Sequence, residues 1–127
     1  MKLGSLVGGS ATVIGPEATV ADAAEIFIDE GVGSLGVVDG PNLVGIITER
    51  DVVRCVAEGL DPEQEAVAAW MSDAPDTFSP SVEIEEAAAW LLEVGYRHMP
   101  VMEEGELLGI VSIRDVLWAL TSGGPEE

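Results

Sequence analysis

The sequence GIITERD, from Gly45 to Asp51, returns 64 residues later as GIVSIRD, from Gly109 to Asp115. In both copies an apolar run ends at a hydroxyl residue, and an arginine and an aspartate follow two and three positions later. A hydroxyl with a carboxylate three residues on has the spacing of a capping box, with Asp in place of the usual Glu or Gln. Each copy therefore predicts a strand that passes directly into a helix.

The motif belongs to a longer internal repeat. Shifting the sequence by 64 positions aligns residues 7–56 with 71–120 without a gap, and 11 of the 50 pairs are identical. A fixed-period repeat indicates duplication of one supersecondary unit, and two copies are too few for a solenoid. The sequence predicts an α/β (α+β) fold of two repeats related by a pseudo-twofold axis. The expected boundaries are 1–60 for the first repeat, 61–70 for a connecting segment, 71–122 for the second repeat and 123–127 for a frayed tail.

Both repeats begin with a short extended piece, a turn containing proline, and a helix. Thr19, with Asp22 three residues later, predicts a capping box at the start of the first helix. Glu83 takes the equivalent position in the second repeat, where its charge suits the positive end of the helix dipole. Gly31 and Gly95 stand where a helix is expected to end.

Two apolar runs joined by a turn come next and predict a β-hairpin in each repeat. They are LGVV-DGPN-LVGII in the first repeat and MPVM-EEGE-LLGIV in the second. The near-continuous apolar character indicates strands that are covered on both faces. Each hairpin continues into a second helix, so the predicted unit is β-α-β-β-α. A further short helix is predicted over residues 63–71.

The composition excludes several classes of partner. With 24 acidic and 5 basic residues the formal net charge is -19, which argues against binding the phosphates of nucleic acid or the surface of an anionic membrane. No apolar run approaches the roughly 20 residues that cross a bilayer. The start of the chain lacks the apolar region of a signal peptide, and Cys55 has no partner for a disulfide. We therefore expect a cytoplasmic domain.

The few basic residues are concentrated around the repeated motif. Arg50 and Arg114 fall in the first turn of a predicted helix, where a cation is unfavourable by a few tenths of a kcal/mol. Their presence in both copies is explained if an anion lies at the start of the helix, where free N–H groups, a hydroxyl and a guanidinium bind phosphate readily. Simple helix capping by the hydroxyl and the aspartate is the alternative, and the residue types alone leave both open.

The complete repeat resembles a pair of CBS domains (the cystathionine beta-synthase type), together called a Bateman module. The resemblance rests on TVIGPEATVADAAEIF, GVGSLGVVDGPNLVGIITERDV and YRHMPVMEEGELLGIVSIRDV, and it covers nearly the whole chain. The nucleotide motif of that family, Gly-hydrophobic-x-Thr/Ser-x-x-Asp, is complete in both copies. The resemblance implies that an adenosine-containing ligand binds in clefts between two repeats.

The resemblance also implies roles for individual residues. Asp51 and Asp115 would accept the ribose hydroxyls, and Thr48 and Ser112 would hold phosphate, helped by Arg50 and Arg114. The base would be flanked by the apolar strand starts and by the short first strands that close each slot. These apolar residues are Leu35, Gly36, Met99, Pro100, Ile14 and Phe78.

The two sites are expected to differ because the second repeat has Arg97-His98 where the first has Gly33-Ser34. A basic pair at that position would make the second site the more favourable for an anion. A partly buried histidine that bonds to the backbone is the alternative for His98. As a metal ligand it has no partner at suitable spacing.

Other residues are expected to be structural. The three tryptophans lie on predicted helices and are interpreted as core or dimer contacts, and Cys55 as a small buried residue. The tryptophans are Trp70, Trp90 and Trp118.

The resulting functional hypothesis is a non-catalytic sensor that requires no cofactor. AMP or ADP is expected first, then ATP, with S-adenosylmethionine next, and the ligand state would be passed to an unknown effector protein. Dimers of the chain are expected from the resemblance. The alternative is a degenerate pair that serves dimerisation or docking without a ligand. No nucleophile–base pair, phosphate-binding glycine loop or metal-ligand cluster suggests an enzyme.

Overall fold

The computed structural model describes residues 1–7, 11–73 and 76–122. The tail 123–127, expected to be frayed, lies outside the described residues. The chain divides into two compact units. The first-repeat unit is Thr12–Pro75, and the second-repeat unit combines Met1–Ala11 with Asp76–Glu127. The start of the chain, which the sequence assigns to the first repeat, thus packs with the second.

The first-repeat unit contains the predicted β-α-β-β-α order followed by two short additions. Its four-stranded sheet has the order β1-β2-β3-β4, with β1 parallel to β2 and the other pairs antiparallel. The helix predicted over 63–71 is limited to four residues, and the strand that follows it was not predicted. The elements are β1 (Val13–Ile14), α1 (Val20–Glu30), β2 (Ser34–Asp39), β3 (Asn42–Thr48), α2 (Glu49–Ala57), α3 (Val67–Trp70) and β4 (Ser72–Asp73).

The second-repeat unit has the same helices and hairpin. The first strand predicted at 77–78 is reduced to one bridge, in which Phe78 pairs with Val101 in parallel. The two hairpins share a register, with an irregularity after the fourth residue of each first strand. The elements are a 3-10 helix (Leu3–Leu6), α4 (Ile84–Val94), β5 (His98–Glu103), β6 (Glu106–Ser112) and α5 (Ile113–Ser122).

The helix boundaries follow the predicted signals. The amide of Asp22 donates to Oγ1 of Thr19, and the amide of Thr19 donates to Oδ2 of Asp22, both at 3.0 Å. Glu83 precedes α4 without a side-chain capping bond, so that end is the weaker of the two. Gly31 and Gly95 end α1 and α4 with φ of 66° and 77°, which a residue with a Cβ adopts only at a cost.

The duplication extends into the segments that precede each repeat. The amide of Leu3 donates to the carbonyl of Val82 at 2.9 Å, and 64 residues on the amide of Val67 donates to the carbonyl of Ala18 at 2.8 Å. Leu3 and Val67 are both fully buried. The segment before the first repeat therefore covers the second repeat, as the segment before the second repeat covers the first.

These covering segments explain the glycine that opens each motif. A Cβ on Gly45 would lie 2.6 Å from Sδ of Met71 and 2.7 Å from the carbonyl oxygen of Ser72. A Cβ on Gly109 would lie 2.9 Å from Cγ1 of Val7. Real Cβ atoms do not approach so closely, so glycine is required for the packing of a covering segment against its strand.

Each unit has its own apolar core. The tryptophans divide between core and surface: Trp70 is buried, Trp90 packs against the edge of the second core, and Trp118 is exposed. The first core contains Ile14, Val20, Ala23, Phe27, Leu35, Val37, Ile47, Cys55, Val67 and Trp70. The second contains Leu3, Ile84, Ala87, Ala88, Leu91, Met99, Val101, Val111, Val116 and Ala119.

Cys55 is fully buried, as the sequence predicts, and is expected to be chemically inert. Burial raises the pKa of its thiol above the ordinary value of 9.0, and the carboxylates of Glu65, Glu58 and Asp61 raise it further. Because the folded state holds the proton more tightly, stability from this thiol is present below pH 9.0 and is lost as the pH rises above it. Cys55→Ala, which copies Ala119 of the second repeat, should lose less stability between about pH 8 and 10 than the natural chain.

The measurement is denaturant unfolding across that pH range, together with labelling of the thiol by a chromogenic disulfide. The natural chain should label only after unfolding. Fast labelling of the folded chain, or identical pH slopes for the two proteins, would contradict a buried neutral thiol.

Candidate functional site

The motif of the first repeat is a strand end, a cap and a buried carboxylate. Thr48 ends β3 in extended conformation, and α2 begins at the next residue. Oδ2 of Asp51 accepts from the amide of Thr48 at 2.8 Å and from its Oγ1 at 3.1 Å. Asp51 is the one charged residue that is buried in the described parts of the chain, with 6% of its surface exposed. Asp51 therefore caps the start of α2 through Thr48.

The motif of the second repeat makes a reciprocal capping box. The amide of Ser112 donates to Oδ2 of Asp115, and the amide of Asp115 donates to Oγ of Ser112, both at 3.0 Å. Asp115 is only partly buried. Its Oδ1 has no hydrogen-bond donor among the described residues. A cap is therefore complete in this repeat while one carboxylate oxygen is left available.

The first repeat lacks that available oxygen. Nη1 of Arg54 donates to Oδ1 of Asp51 at 2.9 Å, one helical turn along α2. The guanidinium also lies over the ring of Trp70, 5.6 Å from its centroid. The equivalent position in the second repeat is Trp118. The sequence showed Arg54 near the motif, but its bond to Asp51 was not predicted, although a separation of three residues on a helix allows one.

Three arginines singled out in the sequence behave differently from Arg54. Arg50, Arg97 and Arg114 are exposed, and none makes an ion pair or a side-chain hydrogen bond in residues 1–7, 11–73 and 76–122. Arg50 lies in the first turn of α2, and Arg114 in the first turn of α5. Each guanidinium is thus free to meet an anion near the start of a helix.

The strand pairing brings the basic pair of the second repeat to the start of α5. His98 lies opposite Ser112 in the register of β5 and β6. The carbonyl of Arg97 accepts from the amide of Ile113 at 2.8 Å. Arg97, His98, Ser112 and Asp115 are therefore neighbours at one end of one hairpin.

The first repeat has the same frame without the basic pair. Ser34 lies opposite Thr48, and the carbonyl of Gly33 accepts from the amide of Glu49 at 3.1 Å. Gly33 and Ser34 place no charge beside the start of α2. The two repeats therefore differ at the positions where the sequence led us to expect unequal sites.

The apolar site residues lie mostly inside the two cores. Leu35 and Met99 are fully buried, and Ile14 is 7% exposed, so their side chains support the strands from within. Gly36 and Pro100 are buried beside them. Contact between these five residues and a base stays a prediction.

Phe78 is half-buried and pairs with β5 of the second repeat. Its amide donates to the carbonyl of Pro100 at 2.9 Å, and its carbonyl accepts from the amide of Met102 at 2.8 Å. The ring of Trp90 meets it edge-on, with centroids 5.5 Å apart, and Trp90 also contacts Tyr96. This aromatic group was not predicted as a unit, because its members are widely separated in sequence. It fixes the position of Phe78.

The described residues offer neither a metal site nor a membrane span. No group of three or more His, Cys, Asp or Glu side chains that could hold a metal ion occurs in the described residues. Within the same part of the chain, no helix is long and apolar enough to cross a membrane.

Comparison with known proteins identifies the fold. The model of the CBS domain matches residues 9–58 and 67–122. A 17.7 kDa protein of Acidianus ambivalens is 36% identical over 121 residues, which cover 94% of this chain and 73% of that protein. Two other archaeal relatives are longer, and this chain spans 38% and 54% of their lengths.

Solved structures agree with that assignment. A CBS-domain protein from Agrobacterium tumefaciens superposes with a TM-score of 0.86 at 29% identity, covering 94% of this chain and 99% of the other. CBSX2, solved in complex with AMP, gives a TM-score of 0.77 at 26% identity, covering 95% of this chain and 96% of the other. With matched sequence, fold and duplicated motif, this chain belongs to the CBS-domain family and contains two CBS domains.

Proposed function

We propose that the chain is a non-catalytic regulatory module that binds an adenosine nucleotide and passes its ligand state to a partner protein. The observation that carries the proposal is the environment of Asp115. One oxygen of this carboxylate closes the helix cap, and the other has no donor in the described residues. A partly exposed carboxylate with an open acceptor is suited to two vicinal ribose hydroxyls.

Positive charge beside Asp115 supports a ligand that carries phosphate. Arg97 and Arg114 flank the start of α5, in a chain whose net charge is -19. Screening over about 8 Å at physiological salt restricts the repulsion from distant carboxylates, so nearby groups dominate. A relative of the same fold, CBSX2, was solved with AMP, which supports an adenosine ligand.

The overall negative charge ranks the nucleotides. AMP and ADP add less charge than ATP, so we place them first, followed by ATP and then by S-adenosylmethionine. The last has a cationic sulfonium but no phosphate for the arginines. The arginines thus favour phosphate, while the surrounding acidic surface limits how many phosphates are tolerated.

Thermal unfolding with each ligand tests the proposal. A ligand that binds the folded state alone stabilises it by roughly 2.7 kcal/mol at 100 times its dissociation constant. We expect AMP to raise the melting temperature of the chain. Inosine monophosphate at equal concentration is the matched anionic control. Unchanged melting with AMP, ADP, ATP and S-adenosylmethionine would remove the nucleotide proposal.

The second candidate is a dimerisation or docking module without a ligand. It is favoured by the capping bonds, because both motifs are satisfied as helix starts by their own backbone and side chains. In that case Asp115→Ala would lower stability by about 1 kcal/mol, the usual cost of a lost cap, and nucleotides would leave melting unchanged.

Dimerisation is also part of the proposed function. Each repeat exposes apolar residues at the same three positions of its two long helices, in a chain that is otherwise rich in acids. Exposed apolar side chains of this kind mark interfaces, and the same positions on two copies suit a twofold contact. We therefore assign this surface to a second copy of the chain. The residue pairs are Ile28 and Leu92, Val53 and Leu117, and Val56 and Leu120.

Sedimentation equilibrium checks this prediction. The natural chain should have twice the 13.2 kDa mass of one chain. The variant Val53→Glu plus Leu117→Glu should sediment as a monomer, because two buried charges would oppose the contact. Glu58→Gln, also on an exposed residue just beyond α2, is the control and should stay dimeric. A monomeric natural chain, or an unaltered mass in the double variant, would contradict the assignment.

A further inference from the structure

The two aspartates of the duplicated motif differ in how many of their oxygens are already engaged. Oδ2 of Asp51 accepts two bonds from Thr48, and Oδ1 accepts one from Arg54. The side chain of Asp51 is 9% exposed. A ribose hydroxyl would therefore compete with Arg54 for Oδ1 of this carboxylate.

The guanidinium of Arg54 makes two contacts, one with Asp51 and one with Trp70. One side bonds Asp51 at 2.9 Å, and a face lies 5.6 Å from the ring centroid of Trp70. Trp70 is itself fixed, since its Nε1 donates to Oε1 of Glu65 at 3.0 Å. A planar guanidinium loses little freedom in such a stacked and bonded position, unlike a lysine.

The second repeat has no equivalent of this arrangement. Trp118 occupies the position of Arg54, and Leu6 that of Trp70, 64 residues apart in each case. Trp118 cannot donate to Asp115 as a guanidinium can, and no other side chain does so in the described residues. Asp115 therefore keeps an oxygen that Asp51 has already used.

We propose that Arg54 is a built-in occupant of the first motif, so that each chain binds one AMP, at Asp115, and not two. Arg54 is thus a specificity-determining residue that sets the number of nucleotides for each chain. The inference rests on the proposed function, since it concerns how many of the two motifs take the nucleotide.

The exposure of the two side chains indicates how strongly Arg54 opposes nucleotide binding at Asp51. The side chain of Arg54 is 55% exposed, so water and salt weaken its pair with Asp51. The carboxylate that accepts it is nine-tenths buried, so the bond is not a fully solvated surface pair. We expect binding at the first motif to be weaker than at the second by about tenfold or more.

Counting bound AMP by isothermal titration tests the inference on the full chain. The natural chain should bind one AMP. Arg54→Met keeps an unbranched apolar stem against Trp70 but removes the guanidinium, and Arg54→Trp copies the residue of the second repeat. Both should bind a second AMP with an affinity at least about tenfold higher than any second event in the natural chain.

Two further variants assign each event to its motif. Asp115→Ala should weaken the single event of the natural chain by about tenfold to a hundredfold. Asp51→Ala should leave that event intact, and in the Arg54→Met background it should remove only the gained one. Circular dichroism and melting curves establish that each variant is folded before titration.

The outcomes separate the inference from the proposed function. Two AMP molecules of similar affinity in the natural chain would overturn the inference and leave nucleotide binding in place. One AMP in both folded Arg54 variants would do the same. No binding of AMP in any variant would remove the proposed function, and the inference with it.

Discussion

Replacing Asp115 by alanine is expected to lower the affinity for AMP by about tenfold to a hundredfold. The variant removes the open carboxylate oxygen that we assign to the ribose hydroxyls, and hydrogen bonds to a charged group contribute about 1.5–3 kcal/mol. Isothermal titration of the variant and the natural chain measures the change.

Asp51→Ala is the matched control for this prediction. Each variant loses one bond to the N-cap amide of a helix that begins at the same place in its repeat. Asp51→Ala also loses the bonds from Oγ1 of Thr48 and Nη1 of Arg54, so it should destabilise folding by more than the about 1 kcal/mol expected for Asp115→Ala. Only Asp115→Ala should weaken AMP binding. Equal losses of affinity in the two variants, or an unchanged affinity in Asp115→Ala, would contradict the assignment of the ribose to Asp115.

The substitution Gly45→Ala should destabilise the protein by about 2–3 kcal/mol. Its Cβ would meet the carbonyl oxygen of Ser72 at 2.7 Å, and β4 is bonded to β3 at that point. The strand cannot retreat without loss of the ladder. A decrease in melting temperature of about 10 °C is expected from calorimetry or circular dichroism.

Two other glycines calibrate this effect. Gly109→Ala should cost less, about 1 kcal/mol, because the atoms it meets belong to the side chain of Val7. Gly15→Ala should be close to neutral, since the nearest atom is the end of the flexible Glu17 side chain at 3.4 Å. Normal melting of Gly45→Ala would show that the covering segment does not pack as described.

Much of the fold could be predicted because its signals are local. The capping residue Thr19 and the helix-ending Gly31 act within one helical turn, and Gly95 repeats the second signal 64 residues after Gly31. The covering segments escaped prediction because their partners are distant: the amide of Leu3 bonds the carbonyl of Val82. Extending the same shift to the first residues would have aligned Leu3 with Val67, both fully buried.

The site could be predicted as a set of residues but not as a pattern of bonds. Residue types at Asp51 and Asp115 are identical, so the sequence alone treats the two carboxylates as equivalent. They differ because of Arg54 and Trp118, one turn further along each helix. Whether an arginine at that position bonds the carboxylate depends on its rotamer and on the ring of Trp70. Neither can be inferred from spacing.

The duplicated motif therefore serves two purposes in one chain. In both repeats it starts a helix, and bonds within the motif form the helix cap. In the second repeat it also leaves an acceptor open beside Arg97 and Arg114. The two repeats share the same strand–helix junction, and different residues around each junction make the two motifs unequal. The basic pair at 97–98 and the position of Arg54 both favour the second motif.

A calorimetric titration of the natural chain with AMP decides whether the second motif is a nucleotide site. Saturable binding of one AMP for each chain is expected, with the affinity lowered in Asp115→Ala and retained in Asp51→Ala. The absence of binding heat at several temperatures, with melting unchanged by AMP, would contradict it.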